Sequence, residues 1–284
     1  MDLFNGVVES GEDTKEYLYH YTTMEKLLKY ILPQKSIRLS PISKTNDPQE
    51  SNGRNFQLGD DIDKYQDGNI DIGEFTKAQE EYKEVMKKDI KILCFAQDYI
   101  PGDNEAFIRD SGRGFAKPRM WAQYADNHQG VCLAFNKNKM IEYFNEKYNR
   151  YFYKYQPVRY KFEKYHNRRD CEAYTLLSSE FQEYNNDVKK IVFNRREKYY
   201  DMYYFFKHPD WQEEREYRFL LDYSKDTYPI IEIDGLLEGI ILGERADEEM
   251  KKPIEILTNI FENKPRIGKL IWNNMGYICV PIDN

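Results

Sequence analysis

The chain has 284 residues, enough for one large domain, with 42 lysines and arginines against 49 aspartates and glutamates. The formal charge of −7 excludes a protein that coats nucleic acid through an overall basic surface. No stretch approaches the ~20 apolar residues of a membrane span, and the four cysteines lack metal-ligand spacing, which together predict a reduced, cytoplasmic protein.

The first fifty residues predict a strand, a helix and a second strand. Residues 17–22 have strand composition, and Thr22–Glu25 has the pattern of a capping box that opens a helix. Ser36–Ser40 predicts a short strand, and the polar loop Asn46–Glu50 follows it. His20 would then lie at the end of the first strand, where backbone amides and a polar ring can converge on a ligand.

The middle of the chain predicts helices and buried strands separated by loops. The predicted elements are a loop at 51–72, a helix at 75–90, a strand at 89–96, a loop at 98–118, a helix from 120 to a left-handed Gly130, and a strand at 131–135. Within the predicted helix that begins at residue 120, Trp121, Tyr124 and His128 would share one face. That face is either the wall of a pocket or a surface packed on the sheet.

Residues 137–169 contain ten basic residues, three acidic residues and seven tyrosines. This mixture is what a single-stranded nucleic-acid surface needs, because cations bind phosphates and rings stack on bases. The same composition is typical of a solvated strand pair whose long side chains cover apolar surface. Residues 171–206 then predict a long amphipathic helix that is either continuous or broken once.

The segment Trp211–Leu221 alternates charged and apolar residues from Glu214 onward. In a strand this pattern places Glu214, Glu216 and Arg218 on one face and the apolar residues on the other. Two carboxylates about 7 Å apart on a strand suit chemistry at an oxocarbenium-like centre; the alternative is a solvated face. Strands at 228–233, 236–243 and 276–281 and a helix at 247–263 complete the predicted elements. Their irregular order favours an α+β fold.

Four segments together resemble a widespread bacterial family of unknown function, some of whose members resemble abortive-infection proteins of phage defence. These segments are Leu18–Thr22, Asn46–Glu50, Met120–Phe135 and Trp211–Arg218. That family is in turn distantly similar to the ADP-ribosyltransferase superfamily. The resemblance implies an α+β fold with a split, mixed or antiparallel sheet and helical insertions. We expect a single domain over residues 1–284, with a peripheral N-terminus at 1–16 and a helical insertion at 165–208.

The resemblance also implies roles for individual residues. Glu216 would be the catalytic carboxylate, and Glu214 would orient the target. The residues expected to contact NAD are His20 at the ribose, Tyr21, Thr22, Ser40, Trp121 and Tyr124. Further candidates for the same site are Arg38, Asn46, Asp47, Glu50, His128 and Arg218. The sequence departs from the Arg-specific transferases, since His20 replaces their first-strand arginine and no Ser-Thr-Ser run surrounds Ser40.

Three functional hypotheses follow. The first is an ADP-ribosyltransferase-like or NAD-hydrolysing effector in phage defence or a toxin system, with a protein or nucleic-acid acceptor and a neutralising partner. The second is a non-catalytic module that binds nucleic acid or a partner through residues 137–169. The third is a nuclease whose oxygen ligands for Mg²⁺ would be Asp47, Glu50, Glu214 and Glu216. Their spacing matches no nuclease pattern, so no metal site is assigned.

Overall fold

The computed structural model describes residues 3, 16–53, 55–59, 72–99, 112–161, 168–185, 187–274 and 276–282. The strands over these residues are β1 (Tyr17–Thr22), β2 (Ser36–Arg38), β3 (Ser40–Pro41), β4 (Gln57–Gly59), β5 (Ile90–Gln97), β6 (Val131–Asn136), β7 (Tyr153–Pro157), β8 (Arg159–Tyr160), β9 (Thr175–Leu177), β10 (Phe206–Lys207), β11 (Glu216–Asp222), β12 (Ile230–Glu232), β13 (Leu237–Leu242), β14 (Arg266–Asn273) and β15 (Gly276–Pro281). The α-helices are α1 (Met24–Lys26), α2 (Leu32–Gln34), α3 (Pro48–Ser51), α4 (Ile72–Asp89), α5 (Pro118–Tyr124), α6 (Lys137–Lys147), α7 (Arg168–Tyr174), α8 (Ser178–Glu183), α9 (Val188–Tyr204) and α10 (Lys251–Thr258).

Nine strands form one mixed sheet. Eight of them follow the order β15, β14, β13, β6, β1, β5, β11, β7, and β3 pairs with β5. All neighbouring pairs are antiparallel except β13 and β14, which are parallel. Helices and strands therefore mix without a regular βαβ repeat, which confirms an α/β-containing fold with a large mixed sheet.

One face of the sheet, called here the first face, carries a continuous apolar core. Leu18, Phe95 and Phe219 lie on it because alternate residues of a strand point to the same side. A π-helix at Leu27–Ile31, α2, α6 and α10 cover this face with apolar side chains. Each large side chain buried here contributes about 1.5–3 kcal/mol of transfer free energy.

The opposite face, called here the second face, has an interrupted core. One apolar cluster lies where α4 and α9 cover β5 and β11 and includes Ile92 and Leu220. Another lies under α5 and includes Tyr19, Ala96 and Trp121. Between them, β11 presents charged side chains instead of apolar ones. This gap in the apolar layer determines where a polar site can form.

Several predicted elements are confirmed, and others need correction. The strands at 17–22, 131–135 and 276–281 and the helix at 75–90 are present, with β14 and β4 as additional strands. The cap of the first helix is Thr23 rather than Thr22, since the Thr23 hydroxyl accepts from the Lys26 amide at 3.3 Å. Gly130 is not left-handed; three residues before it, Asp126 to His128, have positive φ instead. Most of the loops predicted at 51–72 and 98–118 lies outside the described residues.

The prediction of a long helix at 171–206, continuous or broken once, is wrong because the segment has more than one break and contains a strand. This segment forms α7, β9, α8 and α9, and α9 starts anew because the Asp187 carboxylate caps it by accepting from the Lys190 amide at 3.3 Å. The Arg195 guanidinium stabilises the non-helical link by donating to the carbonyls of Ala173 and Thr175, each at 3.0 Å. A buried side chain thus replaces the helical hydrogen bonds that would otherwise be lost.

Candidate functional site

The charged and apolar segment 211–221 is a strand only from Glu216 onward. A 3₁₀ helix spans Pro209–Glu214, and Arg215 after it has a left-handed φ of 45°. Pro209 fixes its own φ and favours the first turn of this helix. The prediction that Glu214 and Glu216 share one strand face is therefore wrong. They come together through a third residue instead.

Lys207 of β10 joins the two carboxylates. Its Nζ lies 2.8 Å from Glu214 Oε2 and 2.7 Å from Glu216 Oε2. Arg218 of β11 donates through Nε to Glu216 Oε1 at 2.6 Å and through Nη2 to Glu216 Oε2 at 3.0 Å. Its Nη1 reaches Glu50 Oε1 at 2.6 Å. We call these five residues the carboxylate cluster.

The carboxylate cluster is almost entirely buried, with Glu216 3% and Arg218 0% exposed. Burial alone would raise the pKa of Glu216, but the positive charges of Arg218 and Lys207 hold it well below the ordinary carboxyl range. Burial would lower the pKa of Lys207, but Glu216 and Glu50 raise it well above the usual lysine value. With three carboxylates and two cations, the cluster has a formal charge of −1.

Two tyrosines hold the glutamates of the cluster in place. Tyr124 of α5 donates to Glu214 Oε1 at 2.6 Å, and burial together with the Glu214 charge raises the pKa of this phenol. Asn46 also hydrogen-bonds to Tyr124. The Tyr160 hydroxyl accepts from the Glu216 amide at 2.9 Å. The carboxylates are thus fixed before any ligand arrives, as electrostatic stabilisation requires.

Two carboxylate oxygens, one in the carboxylate cluster and one next to it, have no hydrogen-bond partner among the described residues. They are Glu50 Oε2 and Asp47 Oδ2, and both are buried. Asp47 Oδ1 caps α3 by accepting from the Gln49 amide at 2.9 Å, and Glu50 lies on the same short helix. A buried acceptor without a donor costs about 1–3 kcal/mol. These oxygens are therefore the places where a ligand's donor groups would be most strongly stabilised.

Residues 120–219 match a family model. Its description is protein of unknown function, DUF2971. The match covers about a third of the chain, from within α5 into β11, and contains four of the five cluster residues, all except Glu50. No curated protein and no solved structure matches the chain significantly.

The structure does not bring His20 to the carboxylate cluster. Tyr19, Ala96 and Glu216 pair directly across β1, β5 and β11, so all three point to the second face. His20 points to the first face, where its ring lies 5.8 Å from Phe95 and its Nδ1 lies 3.0 Å from the Cys94 carbonyl oxygen. Burial lowers its pKa. Contact of His20 with a ribose held at Glu216, as the resemblance implies, is incompatible with this placement.

Tyr21 and Trp121 do point to the second face, but their polar groups bond to the backbone. The Tyr21 hydroxyl donates to the Gly114 carbonyl at 2.7 Å, and Trp121 Nε1 donates to the Phe115 carbonyl at 2.7 Å. The two rings meet edge to face at 5.2 Å. Both residues are buried, and their contact attaches α5 to β1.

The remaining predicted residues lie apart from the cluster. Thr22 is buried at the end of β1, and Ser40 is half-buried on β3, opposite Ile92. Arg38 is exposed, with its guanidinium 4.8 Å from the Tyr228 ring. His128 is not on the helix face predicted for it because α5 ends at Tyr124. Its Nδ1 lies 3.1 Å from the Tyr277 hydroxyl instead.

Lys207 and Tyr160 are site residues that the sequence does not predict. Two buried glutamates need more than one cation to compensate their charge. If both glutamates are buried, a second cation besides Arg218 is therefore expected, but the sequence does not show which residue supplies it. Lys207 lies just before the 3₁₀ helix, at the end of the predicted helical insertion. Tyr160 belongs to the basic and aromatic segment, where its contact with the Glu216 amide has no local signature.

The basic residues of 137–169 include several that form ion pairs with acidic residues elsewhere in the chain. Several are paired: Lys137 with Glu16, Lys147 with Glu232 at 2.8 Å, and Arg159 with Asp201 at 2.8 Å. Residues 162–167 lie outside the described part of the chain. Over the described ranges, no group of three or more His, Cys, Asp or Glu side chains could hold a metal ion. None of the helices described is both long enough and apolar enough to cross a membrane.

Proposed function

We propose that this protein is a glycosyl-transfer enzyme of the ADP-ribosyltransferase-like kind, which cleaves the bond between nicotinamide and ribose in NAD at the carboxylate cluster. The nicotinamide leaves with the electron pair of the broken bond. Water or a hydroxyl, amine or other nucleophile of a protein or nucleic acid then attacks the ribose carbon and releases a proton. The proposal covers both NAD hydrolysis and transfer to an acceptor.

The observation that supports this proposal is the excess negative charge of a buried, fixed cluster. Cleavage of the nicotinamide bond develops positive charge on the ribose ring, and a carboxylate stabilises that charge more in the transition state than in the ground state. In a site shielded from water this interaction is stronger than at an exposed surface. A cluster with equal numbers of carboxylates and cations has no net negative charge, so it would not stabilise the positive transition state more than the ground state.

The contacts give the two central glutamates different roles in the proposal. Both oxygens of Glu216 bind Arg218, and one also binds Lys207, so Glu216 supplies fixed charge and anchors the cations. Glu214 binds Lys207 and Tyr124 and lies at the end of the 3₁₀ helix, where it would face the reacting carbon. The unpartnered oxygens of Asp47 and Glu50 fit the hydroxyl donors of a ribose.

The test is nicotinamide release from NAD, measured by chromatography with and without added cell extract. Glu214→Gln should abolish release and keep the fold, since glutamine retains one acceptor for Tyr124. Glu216→Gln should also abolish release, but it should lower the thermal midpoint because it replaces the buried ion pairs of Glu216 with Lys207 and Arg218 by weaker neutral hydrogen bonds. Glu146→Gln, an exposed carboxylate on α6, is the matched control.

Two results would contradict the proposal. One is release by Glu214→Gln and Glu216→Gln at the wild-type rate. The other is absence of release by the wild-type protein in both conditions, together with no change in its melting temperature on addition of NAD. The second result would leave the cluster as a structural network only.

A further inference from the structure

A group of three cations surrounds the 3₁₀ helix that leads to Glu214. Lys117 Nζ donates to the Glu213 carbonyl at 2.9 Å, and Arg119 Nη1 donates to the Asp210 carbonyl at 2.8 Å. Both carbonyls belong to the segment Pro209–Glu214, and Arg215 follows it directly. We call Lys117, Arg119 and Arg215 the cationic rim, because they are more exposed than the carboxylate cluster beside them.

None of the three rim residues forms an ion pair with a carboxylate among the described residues; their polar contacts are backbone carbonyls and aromatic rings. Burial and the nearby charge of Arg215 lower the pKa of Lys117 to about 7. The carboxylates of Glu213, Asp98 and Glu214 act in the opposite direction but compensate only in part. The rim is thus a concentration of positive charge that a bound anion would relieve.

Aromatic rings accompany these cations. The Arg119 guanidinium lies 5.4 Å from the centre of the Trp211 ring, and the Arg215 guanidinium lies 4.0 Å from the centre of the Tyr99 ring. Lys207 Nζ of the carboxylate cluster lies 5.5 Å from the same Trp211 ring. Trp211 therefore contacts both the rim and the cluster, which places a positive site and a negative site next to each other.

We propose that Lys117, Arg119 and Arg215 form a binding site for the diphosphate group of a nucleotide. Three cations match the charge of a diphosphate, and arginine forks bind phosphate oxygens through paired hydrogen bonds. This proposal rests on the proposed function in one respect, namely that the ribose attached to nicotinamide in the same ligand would bind at the neighbouring carboxylate cluster. The diphosphate site itself is measurable without any turnover of NAD.

The experiment is calorimetric titration of the full chain with inorganic pyrophosphate and, separately, with ADP. Lys117→Met and Arg215→Gln should each weaken binding about tenfold or more, as expected for loss of a charge-assisted contact. Arg150→Gln, an exposed arginine in the turn after α6, removes the same charge elsewhere and should bind as the wild type does. Melting temperatures of all variants show that the fold is retained.

A second readout isolates Lys117. Because its pKa is about 7 in the free protein, it is largely neutral at pH 8, and a bound anion should return its proton. Titrations in buffers of different ionisation enthalpy should therefore show uptake of up to about one proton per pyrophosphate at pH 8. Lys117→Met should lose this uptake, whereas Arg150→Gln should keep it.

The outcomes separate the rim from the glycosyl-transfer proposal. Weakened pyrophosphate binding in the rim variants supports the rim even when the wild type releases no nicotinamide. Nicotinamide release with a wild-type KM for NAD in Lys117→Met and Arg215→Gln would overturn the rim and leave the enzyme proposal standing. Absence of pyrophosphate and ADP binding to the wild type at millimolar concentration would overturn the rim as well.

Discussion

Replacement of Arg218 by methionine tests whether the buried ion pairs of the carboxylate cluster stabilise the fold. The guanidinium is fully buried and makes three hydrogen bonds to carboxylates, at 2.6 and 3.0 Å to Glu216 and at 2.6 Å to Glu50. Methionine carries no charge, so it would leave the three buried carboxylates of the cluster with Lys207 as their only cation. Removal of one partner from a buried ion pair costs about 3–5 kcal/mol of unfolding free energy. We expect a loss in this range at pH 7.

The pH dependence of this loss has a definite sign. In the wild type the pKa of Glu216 is depressed, so its stabilising contribution is present above the ordinary carboxyl range and is lost as the pH falls through the folded-state pKa. In the variant Glu216 keeps only Lys207 as a counter-charge, so burial raises its pKa above the wild-type value and protonation relieves the penalty at low pH. The difference in unfolding free energy between wild type and Arg218→Met should therefore shrink between pH 7 and about pH 5.

The assay is urea unfolding followed by far-UV circular dichroism at both pH values. Arg218→Met/Glu216→Gln should recover part of the loss, because it removes one uncompensated charge, so the two single losses should not add. Lys29→Met breaks the exposed pair with Glu25 and should leave the midpoint unchanged. A loss below about 1 kcal/mol at pH 7, typical of a surface pair, or an equal loss at both pH values, would refute the electrostatic reasoning.

Three further predictions follow from individual contacts. Tyr124→Phe removes the 2.6 Å hydrogen bond to the buried Glu214, so it should lower the melting temperature and should also lower kcat for nicotinamide release about tenfold or more; an unchanged kcat would contradict the positioning role. Arg195→Met removes the donor for the carbonyls between α7 and α8, so chymotrypsin should cleave this segment faster than in the wild type, and an unchanged rate would show that the donor is dispensable. Gly243→Ala would place a Cβ 2.1 Å from the His128 carbonyl oxygen and should cost about 1–3 kcal/mol by thermal or urea unfolding; equal stability would indicate that the loop yields.

Much of the sheet is predictable because its strands carry short-range signals. β1, β6 and β15 are apolar runs of strand length bounded by turn or cap residues, and their bounds differ from the expected ones by at most one residue. β14 was missed since its alternation is weak, with Lys269, Trp272 and Asn273 breaking the apolar pattern. The prediction of a long helix at 171–206 with at most one break was wrong because its apolar spacing persists through β9 and through a second break before α9, and the non-helical link at β9 is stabilised by the distant Arg195 side chain.

The candidate site was predictable in membership but not in geometry. Asn46, Glu50 and Tyr124 were named from motifs, and the tertiary fold brings them into one network, in which Tyr124 contacts Glu214, Asn46 contacts Tyr124 and Glu50 contacts Arg218. The sequence could not reveal that His20 points away, because one residue of register decides the face of a strand. The alternation of charged and apolar residues also could not reveal the 3₁₀ helix at residues 209–214. The polar residues of this turn resemble the start of the strand that follows it.

The interrupted core of the second face has a consequence for motion. The layer formed by α4 and α9 and the layer formed by α5 share the sheet as a common base, but ion pairs and hydrogen bonds lie between them instead of interlocked methyl groups. Packed apolar side chains resist displacement at any ionic strength, whereas polar contacts rearrange when a charged group enters. A ligand between the layers would therefore hold them to each other. Amide hydrogen exchange should slow in both α5 and α9 when such a ligand binds, although the helices lie far apart in sequence.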